Sequence, residues 1–109
     1  EKEIAFKIEF WLKEKNYDLS FYPIVAIDKN SAIPHYDPPN GSNEKVKKNS
    51  IILIDYGAKY KNYHSDTTRM IFTGKPSTEM IKTYKTLLSP LHLKRNINIE
   101  PNHKKIKLK

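Results

Sequence analysis

Asp55 and Asp66 lie eleven residues apart. Asp55 ends the apolar run Ile51-Ile52-Leu53-Ile54, and Asp66 opens Thr67-Thr68-Arg69-Met70-Ile71-Phe72. That spacing suits a strand, a tight turn and a returning strand. With a loop of two or four residues, strand parity puts both carboxylates on one face of the hairpin. They are then direct or diagonal cross-strand neighbours, within roughly 5 to 8 Å. Like charges that close destabilise a sheet, so a positive partner is expected between them. A divalent metal is the natural candidate. Hard carboxylate oxygens suit Mn²⁺ or Mg²⁺, with Co²⁺ or Zn²⁺ also open. Two such ions about 3.5–4 Å apart activate a shared water and stabilise the tetrahedral intermediate of amide hydrolysis. Two carboxylates do not complete such a centre, because each metal normally needs about three protein ligands. On these two residues alone a second reading stays open, in which Asp55 caps a strand and Asp66 pairs with Arg69 or a lysine.

The elements that must position this pair are legible in outline. Residues 2–16 predict an amphipathic helix, with Ile4, Ile8, Trp11 and Leu12 on one stripe and Asn16 near its stop. Phe6 and Phe10 widen the apolar side and predict a second buried contact. Leu19 to Ile27 is rich in aromatic and β-branched residues and predicts a strand, at an edge or bulged because of Pro23. Asp28 to Ser42 is turn-rich, with Pro34, Pro38, Pro39 and Asn40-Gly41. Ile51 to Asp55 reads as a strand covered on both faces. The turn is expected around Lys59 to Asn62, and the return strand from about Tyr63 to Phe72. Gly74-Lys75-Pro76 breaks it. Ser77 then suits an N-cap, with Glu79 in the first turn and Met80, Ile81, Tyr84, Leu87 and Leu88 as a helical stripe. Beyond Leu88 no sustained period survives. A disordered tail is expected there, with at most a short strand at Ile97 to Ile99.

The 109 residues suit one small domain whose core has little to spare. The absence of cysteine excludes a disulfide framework and thiolate metal sites. No apolar run approaches membrane-spanning length. The chain begins at Glu1 rather than Met, without a secretory pattern, so a cytoplasmic protein with a missing upstream segment is expected. The net charge of +8 is uneven: residues 89–109 hold six Lys or Arg against one Glu, and residues 1–88 fourteen against eleven Asp or Glu. A basic tail of this kind is more often a solvated segment than a nucleic-acid site, so nucleic acid is not the expected partner.

Three blocks, in order, carry a family resemblance. The first is Ser20-Phe21-Tyr22-Pro23-Ile24-Val25-Ala26 with Asn30-Ser31-Ala32-Ile33-Pro34-His35-Tyr36. The second is Ile52-Leu53-Ile54-Asp55-Tyr56-Gly57-Ala58, and the third Tyr63-His64-Ser65-Asp66-Thr67-Thr68-Arg69. Together they resemble the amino half of the metallopeptidases with the pita-bread fold, which include methionine aminopeptidase, Xaa-Pro aminopeptidase and prolidase. Pro34-His35-Tyr36 and Ser65-Asp66-Thr67-Thr68-Arg69 are closer to the Xaa-Pro aminopeptidase and prolidase branch. The resemblance covers about residues 1–88 and implies an α+β partial pita-bread fold, an antiparallel sheet with flanking helices. Residues 89–109 then form a divergent basic tail.

The resemblance also implies roles. Asp55 looks like the first metal ligand, which chelates one ion, and Asp66 like the one that bridges two. The ions would be divalent, with Mn²⁺ expected and Co²⁺ or Zn²⁺ open, and the ligand set in this chain incomplete. His35 resembles a histidine that contacts the peptide substrate or the reaction intermediate. Its alternative is a loop histidine held by backbone carbonyls. Arg69 is expected in a structural salt bridge. The family's enzymes attack the scissile carbonyl with a metal-bridging hydroxide. Their other half, which supplies a histidine and two glutamate ligands, has no counterpart here: His92, Glu100 and His103 lack the matching context. Ile27-Asp28 also departs from the family, which usually carries a small residue and glycine there, so an altered loop before His35 is expected. The implied function is that of a fragment of a dinuclear aminopeptidase for Xaa-Pro bonds, inactive in isolation. A non-catalytic binding module and a truncated remnant are the alternatives. Oligomeric state stays open, a homodimer that hides an open sheet edge being one option.

Overall fold

Residues Ile51 to Phe72 fold back on themselves as one long antiparallel hairpin. Its register runs unbroken from Ile51↔Phe72 through Asp55↔Thr68 and Tyr56↔Thr67 to Lys59↔His64 and Tyr60↔Tyr63. The loop is Lys61-Asn62, with φ of 46° and 68°. Two successive left-handed residues are the signature of a type I′ turn, whose twist matches that of the strands it joins. Asn62 tolerates that conformation through its short polar side chain.

The hairpin serves two sheets. In the computed structural model, which describes residues 1–95 with side chains as far as Leu87, helix α1 spans Lys2–Glu14 and β1 Asp18–Leu19. Strand β2 spans Ile24–Ile27, and a 3-10 helix Asp28–Ala32 follows it. The hairpin contributes β3 (Ile51–Tyr56), β4 (Ala58–Tyr60), β5 (Tyr63–His64) and β6 (Thr67–Phe72). The antiparallel sheets have orders β1-β4-β5 and β2-β3-β6. The single strand expected over Leu19 to Ile27 is therefore two short ones in different sheets. Pro23 has no N–H to give a ladder, and it lies buried between them. Both halves are edge strands, as Pro23 suggested.

The hairpin passes from one sheet to the other at Gly57 and Ser65-Asp66. A Cβ on Gly57 would collide with the carbonyl oxygen of Ser65 and crowd Phe21 and Ser20. Only glycine admits so close an approach of the two backbones.

Helix α1 covers one face of β2-β3-β6. Ala5, Val25, Ile27 and Ile52 form the buried cluster, with Ile4, Ile8 and Ile54 against it. At 100° per residue Ile4, Ala5, Ile8 and Leu12 share one stripe. Phe6 and Phe10 fall on the far side and Trp11 on its flank. All three are exposed, so the second buried contact predicted for this helix is not formed in the described residues. Burying an Ile or Val side chain contributes about 1.5–3 kcal/mol, so Val25, Ile27 and Ile52 dominate this small core. The helix ends on Asn16, at φ 58°. The Asn16 N–H donates to Lys13 O and the Tyr17 N–H to Leu12 O, at 2.9 and 3.0 Å. This is a Schellman motif with Asn at the left-handed position.

Residues Glu1–Pro76 form one unit and Ser77–Lys109 a second. Within the second, α2 spans Thr78–Arg95, continuing through Pro90, so residues 89–95 are helical where a disordered tail was expected beyond Leu88. Its start is capped as the sequence predicts, the Met80 N–H donating to Ser77 Oγ at 3.2 Å. The short strand considered at Ile97 to Ile99, with Glu100 and His103, lies outside the described residues. No described helix is long and apolar enough to cross a membrane.

Candidate metal centre

Asp55 stands on the middle strand of its sheet, between Ile24 of β2 and Thr68 of β6. Val25, Ile27 and Ile52 point to α1, so alternation puts Asp55 on the opposite face with Leu53 and Met70. It is half-buried. The Thr68 hydroxyl donates to its Oδ1 at 2.9 Å across the strands.

Asp66 is exposed and immediately precedes β6. Pairing on both sides of it fixes its place: Tyr56↔Thr67 on one side, and the Ser65 N–H donating to Ala58 O at 2.9 Å on the other. The same register sets Asp66 opposite Gly57 and two residues before Thr68, the partner of Asp55. Asp55 and Asp66 are thus diagonal neighbours on one face, a relation that spans about 7–8 Å. The two-residue loop and the parity expected from sequence produce it.

Serines fasten the bend on either side. The Ala58 N–H donates to Ser65 Oγ at 2.9 Å. On the other edge the Ser20 N–H donates to Gly57 O, and its hydroxyl to Ala58 O, both at 2.9 Å. Neither carboxylate has an ion-pair partner among the described residues. Ion pairs among the described residues join Lys7 to Glu3, Lys13 to Glu9, and Lys29 and Lys47 to Glu44. Arg69 donates instead to the carbonyl of Thr68 at 2.8 Å, so the salt bridge expected of it is not formed in the described residues. Pairing of Asp66 with Arg69 or a lysine is likewise not found there.

The donor chemistry fits part of a hard-cation centre: two carboxylates on one face, with no cationic side chain paired to either among the described residues. It does not complete one. Among the described residues no three His, Cys, Asp or Glu side chains come together.

His35 lies on the loop after the 3-10 helix, exposed, with φ 52°. Neither aspartate hydrogen-bonds to it in the described residues. Its neighbour Tyr36 is only 6% exposed, so the loop is anchored one residue from the imidazole. The departure at Asp28 is accommodated. Asp28 keeps a left-handed φ of 51°, the conformation that glycine adopts freely. Its carboxylate accepts from the Ile51 N–H at 2.9 Å and the Ser50 hydroxyl at 3.0 Å. Those bonds hold the non-glycine residue in place and tie the loop before His35 to the start of β3.

Thr68, Ser65 and Glu1 were not singled out in the sequence. Thr68 could have been found by the parity that relates Asp55 to Asp66. Glu1 carries no local signal, because all of its carboxylate's partners are distant in sequence.

Comparison with known proteins bears on this arrangement. The model of metallopeptidase family M24 matches residues 1–94. An Xaa-Pro dipeptidase of Pyrococcus furiosus is 33% identical over 89 residues, 81% of this chain and 25% of that enzyme. The prolidase of Thermococcus sibiricus superposes with a TM-score of 0.74 at 41% identity, over 81% of this chain and 24% of that one. The X-prolyl aminopeptidase of Caenorhabditis elegans, described as a cytosolic enzyme with a di-nuclear active site, gives 0.68 at 35% identity, over 75% and 14%. The chain spans about a quarter of the length of the curated relatives it matches first. What it matches is the amino half of their catalytic domain, and their pita-bread fold is the fold expected from the sequence.

Proposed function

The chain belongs to metallopeptidase family M24, and from that membership we propose that Asp55 and Asp66 are two ligands of a dinuclear centre that cleaves Xaa-Pro bonds at peptide N-termini. The observation that supports this is their diagonal placement on one sheet face without an ion-pair partner among the described residues. Asp55 and Asp66 would each hold a divalent ion through their carboxylates. When bound, such ions, Mn²⁺ in our reading, would supply an activated water and polarise the scissile carbonyl. Thr68 orients Asp55 by holding its Oδ1. Ser65 and Gly57 set the bend that presents Asp66. His35 meets the peptide and stabilises charge that develops on it. The remaining ligands of such a centre would come from the part of the relatives that this chain does not span, and in our reading the isolated chain is inactive. A cytoplasmic setting follows by analogy with the cytosolic Caenorhabditis elegans enzyme.

The test is a Mn²⁺ titration of the chain followed by amide NMR. Paramagnetic broadening is expected to centre on residues 54–57 and 65–68, and to vanish in the Asp55→Asn and Asp66→Asn variants. Broadening spread evenly over surface carboxylates would refute the assignment. Mn²⁺-dependent cleavage of an Xaa-Pro peptide by the isolated chain would refute its inactivity.

A further inference from the structure

Glu1 is a buried carboxylate that the proposed chemistry does not use, and its residue is 6% exposed. Its Oε1 accepts from the Ile27 N–H at 2.7 Å and the Asn30 amide at 2.9 Å. Its Oε2 accepts from the Tyr36 hydroxyl and the Glu44 N–H, both at 2.7 Å, and from the Asn30 amide at 3.2 Å. The main-chain nitrogen of Glu1 donates to Glu44 O at 3.2 Å. One side chain therefore gathers the end of β2, the 3-10 helix, the residue after His35 and the start of the connector to β3.

The partners are bound to one another as well. Asn30 Nδ2 also lies within hydrogen-bond distance of the Tyr36 hydroxyl, at 3.0 Å, and of Ser42 Oγ, at 2.9 Å, its two N–H groups being shared among these oxygens and the Glu1 carboxylate. The Tyr36 ring lies so close to Gly41 that a Cβ there would collide with it. Among the described residues no buried side-chain polar atom lacks a partner. Buried networks satisfied to this degree specify one conformation, because any rearrangement strands a donor or acceptor in low dielectric.

His35 lies inside this frame. Its left-handed φ is sparsely populated for a residue other than glycine, and such a conformation persists only where the surroundings over-determine it. On one side the Ile33 N–H donates to Asn30 O at 3.0 Å. On the other is Tyr36, whose hydroxyl donates to Glu1. We propose that Glu1 is the positioning residue for His35: its carboxylate fixes the loop that presents the imidazole to the peptide. The proposal rests on the reading of His35 as a substrate-facing group. Glu1 touches no reacting atom and acts through Tyr36 and Asn30.

The test is native-state amide exchange on the 109-residue chain, with the His35 intraresidue HN–Hα NOE, which is strong only at left-handed φ. In the parent, the Ile27, Asn43 and Glu44 amides are expected to open as one cooperative unit. In Tyr36→Phe, which keeps the ring and removes one donor to Glu1, their exchange is expected to accelerate about tenfold or more. The His35 NOE is expected to weaken toward the averaged intensity of a mobile loop. Glu1→Gln should do more, because its NH₂ group faces donors whichever way it turns.

Overturning results are an unchanged His35 NOE in folded Tyr36→Phe, or independent opening of the Ile27 and Glu44 amides in the parent. The parent experiment stands even if both variants unfold. No metal or activity enters it, so failure of Mn²⁺ to bind at Asp55 and Asp66 would defeat the proposed function and leave this result intact.

Discussion

Asp28→Gly should destabilise the protein, although it relieves a left-handed residue. Asp28 has φ 51°, and that conformation costs a non-glycine residue about 1 kcal/mol, somewhat less for Asp and Asn. Glycine removes that cost but loses about 0.5–1 kcal/mol to its freer unfolded chain. Backbone terms therefore nearly cancel. What remains is the loss of the carboxylate from the Ile51 N–H at 2.9 Å and the Ser50 hydroxyl at 3.0 Å. Bonds to a charged acceptor contribute about 1.5–3 kcal/mol when buried. Asp28 is half-buried, which lowers that figure, but Ser50 is only 2% exposed, which limits replacement by water. The net is a loss of about 1–2 kcal/mol. With an m-value of about 1 kcal/mol per molar for a chain this short, the urea midpoint should fall by about 1–2 M. Asp28→Asn keeps both the tolerance of left-handed φ and one acceptor for Ile51, so it should lose under about 1 kcal/mol. The measurement is a pair of urea curves read by circular dichroism. A midpoint for Asp28→Gly equal to or above the parent's would show that strain, not hydrogen bonding, governs this position.

Gly57→Ala forces a methyl group against the Ser65 carbonyl. Overpacking of this kind costs about 1–3 kcal/mol, so a lower thermal midpoint is expected together with altered amide shifts at Ser65 and Asp66; unchanged shifts would disprove the close approach. Thr68→Val removes the hydroxyl from Asp55 while keeping its shape. Stability should change by no more than about 1 kcal/mol, whereas Mn²⁺ broadening at Asp55 should weaken, and a variant that titrates like the parent would show Thr68 to be idle. Burial raises the Glu1 carboxyl, but the hydrogen bonds from Asn30, Tyr36, Ile27 and Glu44 outweigh it and hold the group below its ordinary value of 4.5. A depressed carboxylate stabilises fully above that ordinary value and loses its contribution as pH falls through the lowered one. The thermal midpoint should therefore drop below pH 4.5, less steeply in Tyr36→Phe; a midpoint flat from pH 6 to 3 would contradict the network.

The hairpin was legible because strand parity is exact in its consequences. A period of two, an Asn in the turn and two apolar runs suffice to relate Asp55 to Asp66. The stop at Asn16 and the cap at Ser77 were legible for the same reason, since each rests on bonds within a few residues. Trp11, Phe6 and Phe10 misled because hydrophobicity reports what a residue can bury, not which partner is present to bury it. The break at Pro23 was visible, but not that its two sides would join different sheets. That is decided by β3 and β4, more than twenty residues on. Arg69 drew the expectation of an ion pair from proximity in sequence alone, and exposed pairs of that kind gain too little to be relied on.

The two faces of β2-β3-β6 divide stability from chemistry. Val25, Ile27, Ile52 and Ile54 on the α1 side carry the burial. Asp55 shares the other face with Ile24, Leu53 and Met70, of which Met70 is exposed. A slip of one residue in the register would turn Asp55 into the core and Ile54 out of it. Burying an unpaired carboxylate costs several kcal/mol, so the core enforces the register that presents the pair. The repulsion between Asp55 and Asp66 is tolerable because it falls on the outer face, where water screens it and Thr68 satisfies one oxygen. The same hydrophobic contacts that fold the hairpin thus hold two like charges on one face, an arrangement that a bound cation would turn from a liability into a stabilising contact.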